Sequence, residues 1–439
     1  MTDKSNDYDV IIIGGGISGL FLGALLCKRN VKVLVCERQT VLGGRYRAKL
    51  INGVMADFGF KGNRFASQGY VQELFDLLDE PIEFINSPGI IIYENNKFSV
   101  LPRGLKPTLL HSGLSWRGKL TFIKLYRELL SSPPEGNYRT SLHQWLSERT
   151  ERAEIFNLFR YYSQLGVVSP DLKETSLGEF ISLAKKGLTA RYSFGVPKGG
   201  WQKKLVRLTS IIESRGEIRT DCRVEKIVVK ENKVRGVQCR EGVLSAKAVV
   251  AAFPLNPGLF KIIEEKLFPG EWVENIKSLK PTTGINIDFC LNRKITAEDR
   301  LVVTHEPYPV TQGILESNLI PGIAPPDKLY GSWLLPVPFE KFSDRAYLDR
   351  QTGRLKELIS EMFPGIWDCC EWQRIMRIRM VNAVAPRPDQ NWEDRPAFAA
   401  PGFDNLFLAG DTTRGTGGGG DVTMSSVLQV YHLITSRFC

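Results

Sequence analysis

Apolar and polar positions near the amino terminus alternate in blocks that predict a strand, a helix and a second strand. Residues 8–13 form a short apolar run rich in β-branched side chains, which indicates a buried strand. Leucines recur over residues 17–29 in a helical pattern, and residues 31–35 form a second strand-like run that ends at Glu37. This order favours an α/β fold with a parallel sheet.

The turn between the first strand and the helix has a GxGxxG pattern, Gly14-Gly15-Gly16-Ile17-Ser18-Gly19. Gly14 permits a tight turn, Gly16 lets the backbone approach a pyrophosphate, and Gly19 lets the helix pack closely on the strand. Ile17 and Ser18 begin a helix whose free N–H groups and positive dipole end attract phosphate. The pattern therefore predicts a dinucleotide site in a Rossmann-like domain.

An acidic residue follows at the distance that such a site requires. Glu37 lies eighteen residues beyond Gly19, close to the usual spacing of ~20, and its carboxylate can accept hydrogen bonds from ribose hydroxyls. Glu37 and the adjacent Arg38 are therefore candidates for the ribose end of the cofactor.

The residues that follow distinguish FAD from NAD. The stretch ERQTVLGGR, residues 37–45, resembles the E-x(5)-GGR motif of the flavin amine oxidase, protoporphyrinogen oxidase and phytoene desaturase superfamily. The resemblance implies that Gly43 and Gly44 pass close to FAD and that Arg45 lies near its phosphates or flavin ring, where an arginine can clamp a diphosphate. The segment NGVMADFG, residues 52–59, resembles the family's G-x-x-x-D-x-G motif and adds Asp57 and Gly59 to the candidate cofactor residues.

A matching motif closes the chain. PGFDNLFLAGD, residues 401–411, resembles the family's NLxLAGD signature, which implies that Gly410 and Asp411 contact the ribityl or pyrophosphate part of FAD. A run of small residues, 415–420, precedes a helix that we expect to start at Asp421 or Val422. The amino terminus of that helix should point at the pyrimidine edge of the flavin and stabilise negative charge there.

The middle of the chain supplies the rest of the predicted architecture. Val224 matches a family valine whose backbone contacts adenine, so the resemblance implies that role here. We expect a discontinuous FAD-binding domain from residues 1–90, 190–270 and 385–439. Residues 91–189 and 271–384 should form a mixed α+β substrate-binding domain.

Composition excludes several other classes of protein. No apolar run is long enough to span a membrane, and the polar, acidic amino terminus lacks the order of a signal peptide, so we expect a cytoplasmic protein. The eight cysteines follow no framework spacing and the four histidines are scattered, which predicts free thiols and no metal site. The net charge of +10 comes without a nucleic-acid-binding motif, so we expect no nucleic-acid partner.

One segment concentrates the positive charge. Residues 97–127 contain seven basic residues and no acidic residue, interleaved with Leu, Trp and Phe. Such a segment either forms a solvated basic face or lies on anionic lipid at the inner face of a membrane. Membrane-associated relatives use the same general region for lipid contact.

The resemblance implies an FAD-dependent oxidoreductase that acts on a small lipophilic molecule. The phytoene desaturase branch is the most similar, which favours desaturation or saturation of an isoprenoid- or alkene-like substrate. Amine or protoporphyrinogen oxidation, redox-neutral isomerisation, and prenyl binding without catalysis stay open as alternatives. The sequence identifies neither a catalytic base nor the oligomeric state, and seven tryptophans are candidates for either core or pocket: Trp116, Trp145, Trp201, Trp333, Trp367, Trp372 and Trp392.

Overall fold

The structure, a computed structural model, describes residues 7–169 and 171–438. Residues 1–6, which carry part of the argument against a signal peptide, lie outside this range. The strands of the described chain are β1 (Tyr8–Ile13), β2 (Val33–Cys36), β3 (Ala48–Ile51), β4 (Val54–Asp57), β5 (Asn63–Arg64), β6 (Phe84–Asn86), β7 (Ile90–Glu94), β8 (Lys97–Val100), β9 (Phe194–Pro197), β10 (Glu217–Arg219), β11 (Val224–Lys230), β12 (Lys233–Cys239), β13 (Gly242–Ala251), β14 (Thr283–Leu291), β15 (Leu301–Val303), β16 (Gln312–Ile314), β17 (Leu329–Val337), β18 (Cys370–Ile378) and β19 (Leu406–Leu408).

Helices cover both sheets and link their strands. They are α1 (Ile17–Lys28), α2 (Tyr70–Leu77), α3 (Leu105–Leu110), α4 (Trp116–Ser131), α5 (Leu142–Ser147), α6 (Ala153–Val167), α7 (Leu177–Thr189), α8 (Gly200–Glu213), α9 (Leu255–Gly258), α10 (Gly270–Ser278), α11 (Glu316–Leu319), α12 (Arg345–Met362) and α13 (Gly420–Phe438). Among the described residues, no helix is both long enough and apolar enough to cross a membrane.

The first sheet has a parallel core in the order β10-β2-β1-β13, with β19 also paired to β13. The β11-β12-β13 meander continues it in antiparallel fashion. Alternate residues of β1 face opposite hydrophobic cores, so that Val10 and Ile12 pack with α1, α8 and α13 while Ile11 and Ile13 pack with the meander and α10. Burial on both faces explains why β1 is a continuous apolar run. This arrangement confirms the predicted α/β fold.

The second sheet has the order β18-β14-β17-β16-β15-β7-β8 and is mostly antiparallel. All nine residues of its central strand β14 are buried. Ile285, Ile287 and Phe289 pack against α12 in an apolar core. Asn286 and Asp288 lie on the opposite face, because side chains alternate along a strand. A buried strand with polar residues on one face indicates that this face lines a site.

The two sheets draw on different parts of the chain. Strands of the first sheet come from residues 8–36, 217–251 and 406–408, inside the predicted FAD-binding segments. Strands of the second come from residues 90–100 and 283–378, almost wholly inside the predicted substrate-binding segments. The exact domain boundaries stay a prediction.

Candidate cofactor and active site

The phosphate loop, residues 14–19, joins β1 to α1. Gly14 has a φ of +114°, which favours glycine, and a Cβ on Gly19 would lie 2.0 Å from the carbonyl oxygen of Gly14. A Cβ on Gly16, in contrast, would meet no atom within 4 Å. Gly16 also caps α1 without a side chain, so nothing from the cap itself bonds the first N–H groups of the helix. The loop therefore keeps open space where a helix amino terminus attracts phosphate.

Glu37 is held in place beside this loop. One carboxylate oxygen accepts a hydrogen bond from the N–H of Gly15 at 2.7 Å, and the other accepts one from the N–H of Gln39 at 2.8 Å. Each oxygen keeps a second lone pair, so the carboxylate can still accept bonds from ribose hydroxyls. Arg38 is exposed and points away from the buried residues.

The predicted adenine end contains a group of thiols that the sequence did not indicate. Val224 begins β11, and the N–H of Cys222 donates to the carbonyl oxygen of Glu37 at 2.9 Å. The sulfur atoms of Cys36, Cys222 and Cys239 lie within 4.8 Å of one another in the core beneath. Because these cysteines are 186 and 17 residues apart (222 − 36 and 239 − 222), only the fold brings them together. The absence of a metal stays a prediction.

Gly43 and Gly44 both have positive φ values, +94° and +53°, and Gly43 donates its N–H to the carbonyl oxygen of Gly15 at 2.8 Å. This turn places Arg45 against the end of the chain. Its guanidinium bonds Asp411 at 2.6 Å and the carbonyl oxygen of Val381 at 3.1 Å. The sequence motifs at the two ends of the chain are thus in direct contact.

Asp411 is a buried carboxylate that stays ionised. Burial alone would raise its pKa, but the Arg45 guanidinium and the N–H of Ala383, at 2.7 Å, together lower the pKa below its ordinary value. Gly410, with φ +125°, precedes it and donates its N–H to Ser426 at 3.0 Å. These bonds fix the turn between β19 and the glycine run.

The glycine run, residues 415–420, passes between α6 and the start of α13. Arg64 donates to the carbonyl oxygen of Gly418 at 2.6 Å and to that of Leu165, in α6, at 2.6 Å. A small cavity lies along the run. Its lining comes from the cofactor segments and from loops of the second sheet: Val167, Glu179, Asn382, Val384, Pro386, Arg395, Asp411, Gly417, Gly418, Gly419 and Val422. Val422 is therefore at this cavity, and its contact with the cofactor stays a prediction.

The buried Asp421 changes the electrostatics that were expected at the amino terminus of α13. Its side chain is buried in the first turn of the helix, and one carboxylate oxygen has no hydrogen-bond partner among the described residues. Burial raises its pKa to about 6, although Arg64 and Lys186 act in the opposite direction. Above that pH the carboxylate opposes the positive helix end, so this helix favours negative charge on a neighbouring ring mainly when Asp421 is protonated.

Asp57 and Gly59 do not join the phosphate loop. They lie beside the polar face of β14, where a Cβ on Gly59 would be 3.4 Å from the side-chain oxygen of Asn286. Asp57 belongs to a buried group of ionisable residues, the charged cluster: Asp57, Lys61, Asp288, Glu316 and Arg374. The sequence motif located this segment, but the structure shows that its acid faces the second sheet.

The charged cluster contains one close ion pair and several groups with shifted pKa values. Arg374 bonds Asp288 through two of its nitrogens, one at 3.0 Å, and also donates to the carbonyl oxygen of Asp57. Burial raises the pKa of Asp57 to about 7 and that of Glu316 well above its ordinary value. Burial lowers the pKa of Lys61, although Asp57 acts in the opposite direction. Carboxyl groups with raised pKa values beside an amine with a lowered pKa are typical of proton-transfer sites.

A second buried ion pair was also missed from the sequence. Arg395 bonds Glu179 beside the cavity, and their exposed fractions are 2% and 4%. The two residues are 216 positions apart and neither lies in a recognisable motif. Their pairing depends wholly on the tertiary fold.

The tryptophans do not line one pocket. Trp201 and Trp333 are in hydrophobic cores, and Trp145 is also buried. Trp116 is 67% exposed on α4. It therefore lies neither in the core nor in a pocket, and the expectation of one or the other is wrong for this residue. Trp392 donates its ring N–H to the carbonyl oxygen of Arg414 at 2.7 Å, next to the glycine run.

These features together fit FAD. The open space at Gly16 suits a pyrophosphate, Glu37 suits a ribose, and the backbone of Gly417–Gly419 borders a cavity at the other end. Fold and site define the class as FAD-dependent oxidoreductases.

Comparison with known proteins gives the family. The model of the flavin containing amine oxidoreductases matches residues 17–429, and the chain belongs to that family. It is 23% identical to the 15-cis-phytoene desaturase of Synechococcus elongatus, over 92% of this chain and 90% of that protein.

Solved structures agree on the fold. An oxidoreductase from Methanosarcina mazei has a TM-score of 0.82 at 19% identity, covering 97% of this chain and 100% of that chain. A putrescine oxidase with bound putrescine has a TM-score of 0.74 at 14% identity, covering 98% and 99%. The predicted FAD cofactor and oxidoreductase class are therefore confirmed. The contacts of individual residues with FAD remain predictions.

Proposed function

We propose that this enzyme desaturates or saturates a C–C bond of a lipophilic, isoprenoid- or alkene-like substrate. Bound FAD would supply the hydride acceptor or donor. Desaturation removes a hydride from one carbon and a proton from its neighbour, so the protein must supply a base for the proton. The observation that carries the proposal is a half-buried lysine, Lys61, which lies in the charged cluster beside the cofactor residues and whose pKa is lowered by desolvation.

Lys61 is anchored where it can act. Its ammonium group donates to the carbonyl oxygens of Phe58 at 2.8 Å and Gly59 at 3.0 Å. It also lies 6.0 Å from the ring centroid of Tyr46, whose hydroxyl would be 2.3 Å from a Cβ added to Gly420 at the start of α13. Lys61 is thus near both the polar face of the second sheet and the end of the glycine run. A half-buried amine of lowered pKa is neutral in a larger fraction of molecules near pH 7, as a general base requires.

The neighbouring carboxyl groups can hold the proton afterwards. Asp57, with a pKa of about 7, and Glu316, with a raised pKa, can each be protonated near neutral pH. Among the described residues, one oxygen of Glu316 and the hydroxyl of Tyr330 are buried without a hydrogen-bond partner, so both are available for further hydrogen bonds. A proton taken up by Lys61 can pass to Asp57 in those molecules in which that carboxyl group is ionised.

The surroundings of the cluster are apolar, which supports a lipophilic substrate. The same face of the second sheet packs against a hydrophobic cluster that includes Phe194, Leu301, Ile314 and Ile323. Phe60, next to Lys61, packs against Phe194 with ring centroids 5.5 Å apart. The similarity to a phytoene desaturase over most of both chains also supports this substrate class.

Amine oxidation is the second candidate. The charged cluster has three carboxyl groups, Asp57, Asp288 and Glu316, but only two basic residues, Lys61 and Arg374. An excess of buried carboxyl groups would suit a cationic amine. The fold shared with a putrescine oxidase is compatible with this alternative.

The test is anaerobic reduction of the purified, FAD-loaded protein, followed by absorbance near the usual ~450 nm of oxidised flavin. Isoprenoid alkenes with saturated positions, amines and a protoporphyrinogen are supplied separately, and products are analysed by mass. Bleaching with the alkenes alone supports the proposal, whereas bleaching with amines alone would replace it by amine oxidation. An isomerised alkene without bleaching would indicate redox-neutral isomerisation. A protein that no compound reduces, and that converts no alkene after its flavin has been reduced with dithionite, would reject the proposal.

Lys61→Met provides the matched variant, with Lys49→Met on the exposed strand β3 as its control. Reduction by the alkene should slow in the first variant only, with FAD content unchanged in both.

A further inference from the structure

Residues 97–127, the basic apolar face, expose an unusual density of large apolar side chains. Leu105, Leu110 and Trp116 are 61%, 73% and 67% exposed. Seven of the fifteen exposed large apolar side chains of the described chain lie between residues 98 and 120: Phe98, Val100, Leu105, Leu109, Leu110, Trp116 and Leu120. Single exposed apolar residues are ordinary, but a group of this kind marks an interaction surface.

Helix α4 shows that the exposure follows a regular pattern. Phe122, Leu125 and Leu129 face inward and pack in a hydrophobic core. Trp116 and Leu120, one helical turn apart, face outward with Lys124 following on the same side. The outer face of the helix is therefore apolar at its amino-terminal end and basic further along.

The same face carries positive charge without compensation. Among the described residues, none of its basic side chains forms an ion pair with a carboxylate: Lys97, Arg103, Lys106, Arg117, Lys119, Lys124 and Arg127. Three acids lie at its edges: Glu94 is opposite Lys97 across β7 and β8, Glu154 bonds Ser115, and Glu128 bonds Arg149. A partner for this face must therefore be both apolar and anionic.

We propose that the basic apolar face docks the protein on the surface of an anionic lipid membrane. The leucines and Trp116 would enter the boundary between headgroups and acyl chains, and the lysines and arginines would bind the headgroup phosphates. A second copy of the chain fits less well, because a two-fold interface would place the same basic residues against each other.

Contacts link this face to the cavity. Arg103 donates to the carbonyl oxygens of Gly187 and Ala190 at the end of α7. Ala190 belongs to a small hydrophobic cluster with Phe65, Val167 and Leu183, and Val167 lines the cavity beside the glycine run. The docking proposal does not depend on the identity of the substrate.

Sedimentation of the full-length, FAD-loaded protein with vesicles tests the docking. The vesicles contain phosphatidylcholine alone or phosphatidylcholine with phosphatidylglycerol, at low and at high salt. We expect binding to the anionic vesicles, weakened by salt, and at least about tenfold weaker binding after three charge reversals. The reversals are Lys106→Glu, Lys119→Glu and Lys124→Glu, with a control that reverses the same number of exposed charges elsewhere: Lys49→Glu, Lys230→Glu and Lys233→Glu.

A second pair of variants separates apolar insertion from simple charge attraction. Binding at high salt should fall in the triple variant Leu109→Ser, Leu110→Ser and Trp116→Ser but not in the control Leu50→Ser, Val206→Ser and Val243→Ser. Equal, weak binding of the natural protein to both vesicle types would overturn the proposal, as would equal losses in variant and control. If the natural protein forms a dimer in sedimentation velocity and the triple variant with serine at 109, 110 and 116 is a monomer, the face would be assigned to self-association instead. None of these outcomes depends on which substrate reduces the flavin.

Discussion

Arg45 and Asp411, which are 366 positions apart, bond each other at 2.6 Å between the first turn after β2 and the end of β19. Arg45 comes from the GGR motif and Asp411 from the motif that closes the chain. Because each residue also bonds the loop that follows the second sheet, through Val381 and Ala383, the pair joins three separate parts of the structure.

Replacement of Asp411 by Asn should weaken both this junction and FAD binding. The variant loses a charge-assisted bond, which we expect to lower the free energy of unfolding by about 1–3 kcal/mol; partial exposure of Arg45 reduces the effect.

The natural protein should also lose stability in acid. A carboxylate with a lowered pKa stabilises the fold above its unfolded pKa and ceases to do so as the pH falls through its folded pKa. Chemical denaturation at pH 7 and below pH 4, with the flavin-to-protein absorbance ratio, measures both effects; an unchanged ratio would show that Asp411 does not retain FAD.

Two alanine substitutions in the phosphate loop should have opposite consequences. A Cβ at position 16 meets no protein atom, so Gly16→Ala should leave the apo-protein within about 0.5 kcal/mol of its natural stability while weakening FAD binding at least about tenfold. A Cβ at position 19 would clash with Gly14, so Gly19→Ala should destabilise the apo-protein by about 1–3 kcal/mol. Denaturation of both apo-proteins and FAD titration by fluorescence compare them. Tight FAD binding by Gly16→Ala would place the pyrophosphate elsewhere.

Removal of Lys61 should affect chemistry more than binding. If its amine accepts the substrate proton, Lys61→Met should slow flavin reduction by about 10²–10⁴-fold. In the natural enzyme the rate should rise with pH as Lys61 loses its proton, and this dependence should disappear in the variant. Anaerobic stopped-flow absorbance across pH gives both results. A slower rate with the pH dependence intact would assign Lys61 a structural role.

Asp57 should make the protein less stable as the pH rises. Its pKa is about 7 in the folded protein and 3.8 in the ordinary state, so the protonated form is favoured by folding. This contribution is complete below pH 3.8 and is lost as the pH rises through 7. Asp57→Asn should therefore raise the free energy of unfolding at pH 8 more than at pH 5. Urea denaturation at the two pH values, with the exposed Asp79→Asn as control, checks the sign.

The buried Glu179–Arg395 pair predicts a non-additive effect on stability. Glu179→Gln leaves a buried guanidinium without its partner, which costs about 3–5 kcal/mol, and Arg395→Met leaves a buried carboxylate with a similar cost. The double variant should be more stable than the sum of the single losses predicts. Urea denaturation of the four proteins gives the coupling free energy. Additive losses would mean that the two charges do not depend on each other.

Local pattern was sufficient for the elements that bind the cofactor. Burial on both faces makes β1 a continuous apolar run, and the GxGxxG turn requires glycines where a positive φ or close packing excludes a side chain. The elements around the phosphate loop differ by only a few residues from the predicted ones. Helix α13 begins at Gly420, one or two residues before the predicted start at Asp421 or Val422.

The sequence by itself thus determined the fold class, the FAD cofactor and the segments that hold it, since these depend on local periodicity and on motifs of fixed spacing. Tertiary structure alone decided which charges meet. Asp57 ends β4 and Lys61 follows it by four residues, but Asp288 and Arg374 come from two strands of the second sheet and Glu316 from helix α11. The altered pKa values of Asp57, Lys61, Asp288 and Glu316 arise mainly from burial. Burial and long-range pairing depend on how elements pack, and no local pattern in the chain encodes the distance between them.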